Sequence, residues 1–131
     1  MNENQLASEI VDAAYQIHTK LGPGLFESVY EVILTKELEK RGLFVERQKA
    51  IPIRYNEFVF DEGFRADIVV ENLLIIELKS AEIIAPVHKK QLLTYLRLAD
   101  MKLGLLINFG AMLIKHGIFR VVNGLEEKIA P

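Results

Sequence analysis

The sequence predicts an α/β fold of α+β-like character: helices packed on a mixed sheet, in the order helix, helix, three strands, helix, strand, with a short strand to finish. Three observations carry this expectation. Two helical periodicities open the chain, separated by Gly22-Pro23-Gly24. Residues 43–80 then change to β-branched and aromatic character, broken only by short polar pairs. Finally, a helical stripe separates the third strand from the apolar run Leu103–Phe109, a connection long enough for a parallel crossover.

Taken in order, Leu6, Ile10, Val11, Ala14, Ile17 and Leu21 recur at helical spacing and predict a first helix over 4–20. The Gly-Pro-Gly elbow stops it. A second stripe from Glu27 through Val29, Val32, Ile33 and Leu38 ends before Gly42, which stands where a C-terminal cap belongs. Strands are expected at 43–55, 58–70 and 73–80, turning at Asn56-Glu57 and Glu71-Asn72. Pro86 suits the first turn of a helix whose stripe is Leu92, Leu93, Leu96 and Ala99. A fully apolar strand follows over 103–109, then a short hairpin near Met112–Val122 and a tail over 125–131.

The 131 residues fit one domain, 1–131, in which half the residues are hydrophobic and a single core can form. No apolar run reaches the roughly 18 to 20 residues that span a bilayer, and Met1-Asn2-Glu3-Asn4 lacks the features of a signal peptide. No membrane association and a cytoplasmic location are therefore expected. Without cysteine, thiolate metal sites and disulfides are excluded, while hard oxygen ligands remain. A net charge of −2 argues against a strongly basic nucleic-acid binder, although Arg47, Lys49, Arg54, Arg65 and Lys89-Lys90 offer local positive charge.

The most informative feature is Asp67 followed by the nearly apolar stretch Ile68–Ile76 and then Glu77-Leu78-Lys79. Charges placed at the ends of buried strands need partners or a metal, because desolvating an isolated charge costs several kcal/mol. Glu77 and Lys79 share one strand face. A two-residue loop at Glu71-Asn72 would put Asp67 on the opposite face, whereas an odd-length loop, with Asn72 in the left-handed region, brings it onto theirs. The odd loop or an equivalent bulge is the expectation. Two convergent carboxylates with a strand carbonyl suit Mg²⁺ or Mn²⁺ and thereby phosphate chemistry, with Lys79 placed to orient or deprotonate water. A bare Glu-x-Lys triplet is more commonly a solvated salt bridge.

Glu27 is a third acidic candidate, or simply a first-turn carboxylate favoured by the helix dipole. Gln91 and Tyr95, four apart, share a helix face with His88 nearby. His88 and His116, taken alone, are read as structural or exposed.

Together these residues resemble the small bacterial and archaeal GxxExxY proteins, named for a pattern seen here as Gly24-Leu25-Phe26-Glu27-Ser28-Val29-Tyr30. That family is placed in the PD-(D/E)XK nuclease superfamily. The resemblance extends over Ile17-His18, Leu21–Gly24, Arg47-Gln48, Asp67, Glu77-Leu78-Lys79, Gln91–Leu96 and Gly104–Gly110. It implies a restriction-endonuclease-like αβββαβ core with residues 1–22 as an extra N-terminal helix. By the same resemblance, Asp67, Glu77 and the Leu78 carbonyl hold Mg²⁺ or Mn²⁺, Glu27 adds a carboxylate, and Lys79 serves the attacking water. Gln91 and Tyr95 match a substrate-positioning Gln-x-x-x-Tyr element, with Tyr30 as a secondary candidate. Ala66 stands where the nominal proline would precede Asp67. His18 and Gln48 fit the pattern, and packing or hydrogen-bonding roles are expected of them.

The expected function is metal-dependent hydrolysis of phosphodiester bonds in DNA, or less favourably RNA, leaving 5′-phosphate and 3′-hydroxyl ends. A homodimer is one way for so small a domain to cut both strands. The rival is a non-catalytic member that binds nucleic acid or protein, and a third class is a small-molecule phosphohydrolase with a closed pocket.

Overall fold

The computed structural model describes residues 1–126, so the tail expected at 125–131 lies outside the described residues from position 127 onward. Helix α1 spans Glu3–Leu21 and α2 spans Glu27–Lys40; strands β1 (Val45–Tyr55), β2 (Phe58–Val70) and β3 (Leu74–Lys79) follow. Helix α3 (Pro86–Ala99), β4 (Leu103–Asn108), a 3-10 turn (Ile114–His116) and β5 (Ile118–Val122) complete the order. The αβββαβ core preceded by an extra helix is thus present.

Local chemistry explains the boundaries. Asn2 and Gln5 form a reciprocal capping box at the start of α1, with Gln5 N donating to Asn2 Oδ1 at 2.8 Å and Asn2 N to Gln5 Oε1 at 3.0 Å. Gly22, at φ +70°, ends it. Gly42, at φ +82°, follows α2 in the left-handed conformation that closes a helix without a Cβ clash.

The five strands lie in the order β1-β2-β3-β4-β5. β1, β2 and β3 are consecutively antiparallel, β3 and β4 are parallel, and β5 returns antiparallel to β4. The hairpin expected within 112–122 does not form. Gly117 N donates to Ile114 O at 2.8 Å, so 114–117 is consumed by a tight turn, and the remaining residues pair with β4 from Ile107↔Ile118 to Leu103↔Val122.

Alternation along the central strands divides the core in two. Ile68, Val70, Leu74, Ile76 and Leu78, with Leu103, Leu105 and Ile107, pack under α1 and α2. Val69, Ile75 and Leu106 pack under Leu92 and Leu96 of α3. Helix α1 is no appendage: Leu6, Ile10, Ala13, Ala14 and Ile17 are buried in the larger cluster. The far half of the β1–β2 hairpin extends past this cover, leaving Tyr55, Phe58 and Phe60 exposed. The register of the hairpin shifts between Ile51 and Ile53, where Pro52 alone on β1 faces residues 61–63 of β2, so the bulge lies on β2.

Candidate metal and phosphodiester site

The turn after β2 determines the site. Glu71 (φ +54°) and Asn72 (φ +52°) are both left-handed, and Leu73 N donates to Val70 O at 3.0 Å. The ladder then pairs Val70↔Leu74, Val69↔Ile75 and Ile68↔Ile76, an odd connection that sets Asp67 opposite Glu77. Both therefore project on the α3 side, with Val69 and Ile75, and Lys79 joins them two residues further on.

Backbone pairing of β2 with β3 ends at Ile68↔Ile76, and the carboxylates take over where it stops. Asp67 N donates to Glu77 Oε1 at 3.3 Å, and Leu78 N donates to Asp67 Oδ2 at 2.8 Å. The splayed strands thus keep their N–H groups satisfied while two acidic side chains are held together. Burial, and secondarily the Asp67 charge, push the Glu77 carboxyl up to about 9, against a smaller opposing effect of the Lys79 ammonium. At neutral pH this pair retains a proton. Two adjacent carboxylate oxygens whose shared negative charge is disfavoured by burial fit a hard divalent metal well.

Glu27, at the first position of α2, is exposed, and among the described residues no three acidic or histidine side chains converge as a metal cage. Its backbone is nevertheless anchored to the end of β3. Ser80 Oγ donates to Leu25 O at 2.6 Å, immediately after Lys79. Tyr30 OH donates to Gly22 O at 2.6 Å and accepts from Leu25 N at 3.3 Å, while its buried ring stacks on Phe109 with centroids 4.4 Å apart. Tyr30 thus shapes the elbow from beneath and is not in contact with the carboxylate pair through any of these bonds.

Sequence reasoning missed Glu31. It is buried on α2, and its Oε2 accepts from Arg47 Nε at 3.2 Å and Nη2 at 2.9 Å. Its Oε1 accepts from Gln48 Nε2 at 2.6 Å, and the same amide nitrogen lies 3.4 Å from Asp67 Oδ1. Gln48 adopts φ +50°, a left-handed conformation uncommon for a non-glycine residue inside a strand. The amide has a hydrogen-bonding role, as expected, and that role reaches the site. The available signal was Arg47-Gln48 beside an acidic residue adjoining the buried Tyr30. His18 is likewise a hydrogen-bonding residue, with Nε2 2.9 Å from Ala111 O.

Helix α3 supplies the wall. Tyr95 stacks on Phe64 at 3.8 Å between centroids, and its phenol is raised by burial and by the negative charges of Glu77 and Asp67, opposed by a hydrogen bond with Gln91. Tyr95 therefore lies within electrostatic reach of the carboxylates, with Gln91 as its hydrogen-bond partner. The His88 Nδ1 is buried without a hydrogen-bond partner among the described residues. Behind Lys79, the buried Asn108 accepts from Ala81 N and Gly110 N, each at 3.0 Å, and donates to Ala81 O at 2.8 Å. This fixes the chain leaving β3.

A family model described as the PD-(D/E)XK nuclease superfamily matches residues 4–121. Among solved structures, the chain is similar to the protein SSO0001, known from a crystal structure, with a TM-score of 0.53 and 20% sequence identity. The similarity covers 76% of this chain and 52% of that one, so the chain spans about half the length of that protein, and what they share is the fold. No curated protein matches. No helix among the described residues is long and apolar enough to cross a membrane.

Proposed function

Because this chain belongs to the PD-(D/E)XK nuclease superfamily, we propose that its carboxylate pair is the centre of a divalent-metal-dependent phosphodiesterase acting on DNA, with RNA the less favoured substrate. The observation that carries this is the convergence of Asp67 and Glu77 on the α3 face, with the Asp67 carboxylate fixed by Leu78 N and Lys79 beside the pair.

Asp67, Glu77 and the Leu78 carbonyl would hold Mg²⁺ or Mn²⁺, with Glu27 a further carboxylate at the rim of the elbow. The ion would supply Lewis-acid polarisation of a phosphoryl oxygen and acidify a bound water. Lys79 orients the attacking water and offsets charge developing on phosphorus. Water oxygen bonds to phosphorus as the bond to the 3′ oxygen breaks, and the leaving oxygen takes up a proton, giving 5′-phosphate and 3′-hydroxyl ends. Gln91 and Tyr95 position the strand against the pair, and Tyr30 acts through the elbow as a positioning residue. Cleavage of both strands in one encounter would call for a second copy.

A non-catalytic binding role is the alternative, favoured by the net charge of −2 and by the exposed, separate position of Glu27. Incubating the protein with linear, nicked and single-stranded DNA and with RNA, in Mg²⁺ and in Mn²⁺, beside Lys79→Ala, separates the two. Cleavage by the wild type alone supports the nuclease; no cleavage of any substrate, with metal affinity lost in Asp67→Asn, supports the binder.

A further inference from the structure

Two loops leave the sheet at the same end as the carboxylates, residues 80–85 after β3 and 109–113 after β4. Asn108 clamps them together through its bonds to Ala81 and Gly110. Between them and the 3-10 turn lies a cleft of about 350 Å³, whose apolar lining includes Ile83, Ile84, Met112, Leu113 and Phe119, with His116 at its side. Ile83 is 80% and Met112 89% exposed, while Ile84 and Phe119 back onto the α3-side core.

Position and charge say what this surface meets. Lys79 is the register partner of Asn108, and Phe119 that of Leu106, so the cleft opens on the α3 face alongside the carboxylate pair. From β3 to β5 is two strand spacings, about 10 Å, on the order of one to two nucleotides along a strand. The Lys89 ammonium lies 4.1 Å above the ring of Phe119 in the cleft wall, and Lys115 precedes the lining residue His116 in the chain. Among the described residues that line the cleft, Glu82 alone is acidic. An aromatic side chain in a groove flanked by positive charge, here Phe119 with Lys89, is the combination that holds unpaired bases while tracking the backbone.

We propose that this cleft is a base-binding subsite that takes an unstacked nucleotide flanking the scissile phosphate, so that single-stranded or frayed nucleic acid is the substrate class. This rests on the nuclease reading of the neighbouring site. A base within a duplex stays in its stack and cannot enter without the cost of unstacking. Apolar contact by the flexible methionine and the isoleucine makes no hydrogen-bond readout of the base, so the subsite selects strand state and not sequence.

The test uses the full chain and the double variant Ile83→Ser/Met112→Ser, two exposed positions whose change leaves the core untouched. Binding of a fluorescent single strand of about 12 nucleotides, and of the same sequence as a blunt duplex, is measured in EDTA. Expected are single-strand binding at least about tenfold tighter than duplex binding, and about a tenfold loss for the single strand alone in the double variant. Equal binding of both substrates by the wild type, or an unchanged preference in the double variant, overturns the subsite. So does a change of sedimentation coefficient in the double variant without a change in binding, which would make the patch a contact between copies of the chain. Cleavage in Mg²⁺ is scored separately. Absence of cleavage with the preference intact defeats the nuclease and leaves the subsite, whereas cleavage indifferent to strand state does the reverse.

Discussion

Asp67 and Glu77 each depend on the other's strand: the Asp67 N–H is satisfied by Glu77 Oε1, and the Asp67 carboxylate is satisfied by the N–H that follows Glu77. Removing either side chain therefore disturbs the place where two strands part as well as the charge there. Isosteric amides preserve most of the hydrogen bonding. Asp67→Asn and Glu77→Gln are accordingly expected to fold, to lose divalent-metal affinity and to cut at least about 100-fold more slowly. Lys79→Ala should keep the metal affinity and lose cleavage. Titration calorimetry with Mn²⁺ beside a cleavage assay checks all three, and full activity in any of them would refute the assignment.

The Glu77 carboxyl gives the metal-free protein a pH dependence whose sign follows from linkage. Its pKa in the fold is about 9 against an ordinary 4.5, so between these values the folded chain holds a proton that the unfolded chain releases. The associated stability is present below about pH 4.5 and is lost as pH rises toward 9. The urea midpoint in EDTA should therefore fall from about pH 5 to about pH 9 in the wild type, and fall less in Glu77→Gln. Added Mg²⁺ should restore most of the loss at the alkaline end. A wild-type midpoint that rises with pH as steeply as in the variant would contradict this.

Gln48 connects Glu31 to Asp67 across three elements, and its positive φ allows a clean test. Gln48→Gly removes the amide while suiting the backbone. It should weaken Mn²⁺ binding about tenfold, the usual effect of losing an outer partner of a ligand, with little change in stability. Gln48→Ala should show the same metal defect and, keeping a Cβ in the left-handed conformation, should be about 1 kcal/mol less stable than the glycine variant. Equal metal affinity in wild type and glycine variant would make the bridge merely structural.

Glu31→Ala removes the acceptor of Arg47 and the shorter of the two hydrogen bonds of the Gln48 amide. A loss of about 1–3 kcal/mol in stability is expected from urea denaturation, with Glu31→Gln recovering part of it. An unaffected midpoint in the alanine variant would show that this buried carboxylate contributes nothing net.

At the elbow, Tyr30→Phe keeps the stack on Phe109 and deletes the bonds to Gly22 and Leu25. About 1–2 kcal/mol should be lost. If Glu27 serves the reaction, kcat should also fall while KM changes little; Ser80→Ala, which frees Leu25 from the other side, should match it.

Much of this site was legible because strand chemistry has a period of two. The apolar run Ile68–Ile76 with charges at both ends allowed only two facings for Asp67, and the left-handed preference of Asn72 chose the one seen. The helices were readable from their stripes and from Gly22 and Gly42. A final strand was expected and is present, but not the hairpin around it, because Met112 and Leu113 carry the composition of a strand yet sit exposed on a loop, and pairing depends on a neighbour that local sequence does not name. Glu31 was hidden for a similar reason: on a helix it reads as one more surface acid, and only the arrival of Arg47 and Gln48 from β1 reveals it as buried and paired. Glu27 was visible by its motif and not by its surroundings.

The proline in the edge strand concerns the molecule's company more than its chemistry. β1 is an outer strand of the sheet, and beyond Ile51 its pairing shifts register at a residue that cannot donate a ladder bond. A straight, unbroken β1 edge beside Tyr55, Phe58 and Phe60 would offer a template on which further chains could stack without limit. As built, the proline leaves one gap in the donor row that β1 presents at the sheet's edge, close to where the aromatic arm stands in solvent.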